Sequence, residues 1–147
     1  MKTLLACALL ALPAAAAAQD VSPCDGRISP GVIAEPWEAN TRTFANGAVR
    51  VALLNTEEPV MGPFQLLVLT PPAFEGPWRQ CRVVSFDGGI GFYDLDFESL
   101  DARYDPSTGL VLHMVVQIAF GEQNFGVRGL EVTINQALGT LVAELKG

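Results

Sequence analysis

From position 41 onward, apolar and polar residues trade places along most of the chain with a period of two, and Gly, Pro, Asn or Asp clusters break the pattern at short intervals. Successive side chains of an extended strand point to opposite faces, whereas a helix repeats every 3.6 residues. The clearest case is "VRGLEVTIN" (127–135) and "TLVAEL" (140–145), which alternate around "QALG". No long stripe at helical spacing competes with this reading. The expected fold is therefore all-β: one antiparallel β-sandwich or barrel-like domain of about nine short strands over 41–147.

Local turn chemistry sharpens that expectation. Asn46-Gly47, between Phe44-Ala45 and Ala48-Val49, fits a two-residue type I′ hairpin. That register sets Phe44 opposite Val49 and Thr43 opposite Arg50. "FQLLVLT" (64–70) is apolar on both faces, as a central strand would be. "DPSTG" (105–109) reads as a type I turn closed by a left-handed glycine, joining "LDARY" to "LVLHMVVQIAF". The strands at 64–70 and 110–118 are apolar on both faces, which suits a protein core better than a membrane barrel with apolar-out, polar-in alternation.

The first eighteen residues follow a different logic. Lys2 precedes the short apolar run "LLACALLAL", and small residues end at Ala18. That run is too short to span a bilayer and reads as a secretory signal peptide cut between Ala18 and Gln19. "LLAC" ending at Cys7 has too little apolar sequence upstream to serve as a lipoprotein box. The leader's only charged residue is Lys2, so its removal takes the net charge from −7 to −8. The expected location is exported, periplasmic or extracellular, with no integral membrane segment left after cleavage. The acidic surplus argues against nucleic acid and would suit a basic protein as partner.

Cys7 departs with the leader, and Cys24 and Cys81 remain as an even pair in an exported chain. A Cys24–Cys81 disulfide is expected. It would fasten the Pro- and Gly-rich lead-in, 19–40, to a strand. That lead-in is expected to be irregular, with one helical turn around Glu35 to Ala39.

Six of the chain's 16 acidic residues crowd into "FDGGIGFYDLDFESLDARYDPSTG" (86–109). Asp94, Asp96 and Glu98 alternate with Leu95 and Phe97, so a strand would carry all three carboxylates on one face. They would spread over about 13 Å, too far for one calcium ion, and no D-x-D-x-D-G loop is present. The apolar residues of this stretch change parity. Leu95 and Phe97 are odd-numbered, while Leu100, Ala102 and Tyr104 are even-numbered. An extra residue near Glu98–Leu100, or a turn at Glu98-Ser99, would return all five to one core face.

The single histidine, His113, falls opposite Asp101 in the hairpin register. The pair suits a cross-strand polar contact. A hydrolase would need a nucleophile as well, from Ser85, Ser99 or a threonine, and none lies in a G-x-S-x-G elbow. No cofactor motif is present. Trp37, Phe74 and Trp78 lie in Pro-rich segments and would cap the ends of the core. Alternatively, the Phe74–Trp78 loop would offer a contact patch, alongside Asp94, Asp96 and Glu98. The expected function is a non-enzymatic exported binding domain. The alternatives are a small secreted hydrolase using Asp101 and His113 or a carboxylate pair, and a calcium-stabilised structural domain.

Overall fold

A computed structural model describes residues 18–72, 76–121 and 123–147. The leader up to residue 17, and Phe74, lie outside the described residues. Among the described residues, nine strands form two antiparallel sheets. The first sheet holds β1 (Asp20–Pro23), β2 (Thr41–Phe44), β3 (Val49–Asn55), β4 (Phe64–Thr70) and β5 (Gln80–Ser85), in the order β1-β5-β4-β3-β2. The second holds β6 (Asp94–Asp105), β7 (Gly109–Phe120), β8 (Asn124–Asn135) and β9 (Thr140–Lys146), in sequence order. The all-β sandwich is thus as the alternation implies, with "FQLLVLT" in the middle of its sheet.

One core fills the space between the sheets. Val49, Val51, Leu66, Val68 and Val84 face Leu112, Met114, Val116, Leu130, Val132 and Ile134, all nearly free of solvent. Burying a side chain of this size contributes about 1.5–3 kcal/mol. The chain passes from the first sheet to the second at Gly91-Phe92. Phe92 is fully buried and exchanges backbone hydrogen bonds with Phe64, while the Tyr93 N–H reaches the Gln117 carbonyl. A Cβ at Gly91 would press on the carbonyl oxygens of Phe64 and Gly62, so only glycine fits this crossing. Arg82 ties the sheets at another point. Its guanidinium donates to Thr70 Oγ1 and Gln80 Oε1, and to the Gly139 carbonyl in the β8–β9 turn.

A second apolar layer lies on the far side of the first sheet. Ala52, Leu54, Leu67 and Val83 point away from the main core, yet all are buried. Ile28, Val32 and Ile33 of the lead-in cover them. The Cys24–Cys81 disulfide holds this cover in place, with a Cα–Cα distance of 5.4 Å. The Cys24 N–H also donates to the Cys81 carbonyl, and Ala34 N–H to the Leu53 carbonyl.

The lead-in is more regular than its composition implies. Asp20–Pro23 forms the edge strand β1 against β5, Pro30–Val32 makes a 3-10 turn, and α1 (Trp37–Asn40) supplies the expected helical turn. Before β1, Ala18 bridges Glu144 and the Gln19 N–H donates to the Ala143 carbonyl, so the chain passes the edge of β9 before it enters the other sheet.

The β2–β3 register is as expected, with Phe44 opposite Val49 and Thr43 opposite Arg50. Asn46 and Gly47 both have positive φ, as a type I′ turn requires, and Ala48 N–H donates to the Ala45 carbonyl. Ala45 is left-handed too, so strand pairing stops at Phe44 and the loop runs over 45–48.

Tyr104 departs from expectation. It shares a register position with Leu110 but is 72% exposed, because it sits at the tip of an edge strand where the facing sheet no longer covers it.

Candidate functional site

The acidic stretch becomes the outer edge of the second sheet. β6 is one strand of 12 residues rather than two, and its register with β7 slips between Asp96 and Asp101. Asp96 pairs with Val115 and Asp101 with His113, so four residues of β6 stand against Met114 alone. The bulge therefore adds three residues, where parity asked for an odd number. Leu95 before it and Phe97 at its start are buried, and Leu100 at its end and Ala102 after it pack against the core.

Asp96 builds that bulge. Its Oδ1 accepts the N–H groups of Glu98 at 3.1 Å and Ser99 at 3.2 Å. Ser99 Oγ donates to the Asp96 carbonyl at 2.6 Å and accepts the Val115 N–H at 2.9 Å. The extra residues thus keep hydrogen-bond partners even where the ladder is broken. Asp94, Glu98 and Asp101 remain exposed along the edge. Among the described residues no group of three or more His, Cys, Asp or Glu side chains is arranged to hold a metal ion. The exposed Arg42 of β2 reaches over to this strand, its guanidinium 5.4 Å from the Phe97 ring centroid.

His113 lies on the exposed outer face of the second sheet, in a row running Asp101, His113, Glu131, Glu144 across four strands. Its ring covers Gly129: a Cβ there would meet Nε2 at 2.7 Å. Arg103 pairs with Glu131 at 3.3 Å, and Lys146 pairs with Glu131 at 3.5 Å and with Glu144 at 2.6 Å. The Glu144 hydrogen bond, followed by the pull of Glu131, raises the Lys146 pKa above its ordinary value. Two cations therefore bracket Glu131, and the row is a polar face with internal pairing. Neither serine weighed as a nucleophile stands free beside His113. Ser99 holds the bulge, and Ser85 is fully buried in the first sheet.

The tryptophans do not cap the core. Trp37 is 43% exposed and Trp78 82% exposed. The Trp78 loop is tied to the β2–β3 turn by Arg79, which donates to the carbonyls of Ala48 and Gly47. Gly47 also lines an apolar groove of about 310 Å³ on the outer face of the first sheet, floored by Ile33, Ala52, Leu67 and Leu69. Alternation does not reveal this groove. It exists because the lead-in covers only part of that face, and the cover's extent depends on where the disulfide pins it. Of the residues singled out in sequence, Asp94, Asp96 and Glu98 share one edge, and Trp78 sits on a separate loop.

No family model, no curated protein and no solved structure matches this chain.

Proposed function

We propose that this chain is an exported, non-enzymatic binding domain whose partner is a basic protein docking along β6. The observation that carries the reading is the outward edge of that strand. Asp94, Glu98 and Asp101 are exposed there, while the nearest cation on the strand, Arg103, is already paired with Glu131. An unneutralised acidic edge on a chain of net charge −7 attracts cationic surfaces and speeds encounter with them. Asp96 is exposed on the same edge, and its carboxylate holds the bulge that presents this surface. The Trp78 indole, on its tethered loop, supplies a second contact of the aromatic kind that anchors interfaces.

The test is capture of partners from the exported protein fraction by the wild-type domain and by an Asp94→Asn, Glu98→Gln, Asp101→Asn variant. The reading expects a basic partner whose retention falls steeply with salt and is lost in the triple variant. Partners retained equally by both proteins, or retention indifferent to salt, would sink it.

A further inference from the structure

We propose that the groove on the outer face of the first sheet binds an apolar monocarboxylate, with one carboxylate on a short acyl chain or a single ring. The site is separate from the β6 edge, and the inference does not depend on a partner docking there.

The groove has a cationic end and an apolar end. Residues two apart on a strand share a face and lie about 7 Å from each other. On β3, Arg50 stands between Thr43 of β2 and Leu69 of β4, and Ala52 stands between Thr41 and Leu67. Ile33 of the lead-in bridges Leu54, the next residue on that face, and so closes the end away from Arg50. The volume of about 310 Å³ is at the lower end of the range for small-molecule pockets, about 300 to 1,000 Å³, and suits one chain or one ring.

Arg50 is the group without a counterpart. The chain has a net charge of −7, yet among the described residues no Asp or Glu lines this groove. Arg50 is exposed, and its one hydrogen bond is a long one, from Nε to the Gly47 carbonyl at 3.4 Å. Among the described residues its Nη1 and Nη2 find no acceptor, and no carboxylate forms an ion pair with it. Arg42, the other arginine at the groove, is committed, because its Nη1 donates to the carbonyls of Glu38, Ala39 and Thr41. One guanidinium fork grips one carboxylate through two parallel N–H···O bonds. Beyond that head, Ile33, Ala52, Leu67 and Leu69 offer only hydrocarbon side chains. A second charge or a polar tail would lose water there without gaining a partner. The fitting ligand is therefore an anion at one end only.

The test titrates isotope-labelled protein, with its disulfide formed, with sodium octanoate and follows the backbone amides by NMR. Saturable shifts are expected at Ile33, Ala52, Leu67 and Leu69. Octanamide, with the same chain and no charge, should bind at least about threefold more weakly. Arg50→Gln should weaken octanoate by a similar factor and leave octanamide unchanged. No saturable shift at millimolar octanoate, shifts confined to another surface, or equal binding of octanoate and octanamide to the wild type would overturn the proposal. So would a short acidic peptide that moves the same signals at a lower concentration than octanoate does, since the groove would then belong to a protein partner.

Discussion

Removing the disulfide, by the paired change Cys24→Ala and Cys81→Ala, should destabilise the whole domain. The cross-link spans 57 positions. Closing a loop of that length in the unfolded chain is worth about 4 kcal/mol on the chain-entropy account. A single domain of this size has roughly 5–15 kcal/mol in all, so the loss is a large share of the total. It corresponds to a fall in Tm of about 10 °C. The outer cover adds a local effect. Without its staple, the segment from Cys24 to Ile33 is held by packing on Leu54, Leu67 and Val83 and by a few backbone bonds, including Ala34 N–H to the Leu53 carbonyl. The assay is urea unfolding followed by far-UV circular dichroism, because Trp37 and Trp78 are too exposed to report core packing by fluorescence. Amide exchange at Ala34 follows the cover separately. A stability loss below about 1 kcal/mol would refute the loop-closure reasoning. Protection at Ala34 that matches the wild type would refute the claim that the bond holds the cover down.

Three further outcomes are expected. Asp96→Ala removes the acceptor for two N–H groups of the bulge and should cost about 1 kcal/mol, while Asp96→Asn, which keeps an oxygen there, should cost less; equal losses in chemical denaturation would contradict this. Arg82→Lys keeps the charge but replaces the Nη2 group that donates to Thr70, Gln80 and Gly139 with a shorter-reaching ammonium, and should cost about 1–2 kcal/mol by the same measurement; an unchanged unfolding midpoint would show that the bridge contributes nothing. Asp105 is held below the ordinary carboxylate pKa, first by the Ser107 hydroxyl and then by the Ser107 N–H. A depressed folded pKa gives stability that is present above the ordinary value and is lost as pH falls through the depressed one. Ser107→Ala should move the Asp105 titration up toward the ordinary value in a carboxyl-carbon NMR titration, and an unmoved curve would rule out the hydroxyl as the main cause.

The hairpins were legible in the sequence because their determinants are local. Asn46-Gly47, Asp105 to Gly109 and the parity of the flanking residues are enough to pair Phe44 with Val49 and Asp101 with His113. Parity also located the irregularity in β6, but parity reports only odd or even. It cannot distinguish one inserted residue from the three observed. β1 was invisible for a different reason. "DVSP" is four residues ending in proline, and its partner strand lies some sixty positions away, so nothing local marks it as extended. The strand count agrees with the expectation only because β1 enters while the two pieces of β6 merge into one. On the candidate surface, the shared face of Asp94, Asp96 and Glu98 follows from alternation alone. That Asp96 is structural, and that Trp78 stands clear of the core, depend on a loop conformation and on how far the lead-in reaches.

The bulge in β6 has a consequence for how these molecules meet one another. An open sheet edge is a template on which a second chain can grow. Here each of the four edges is spoiled in its own way. β1 is short and ends in Pro23, β2 has four residues, and β9 has Ala18 and Gln19 laid against it. β6 is the longest, and its row of amides is interrupted midway by three extra residues and fringed with carboxylates that repel a like neighbour. The same strand that would welcome a cationic partner is thus the one least able to seed a fibril of its own kind.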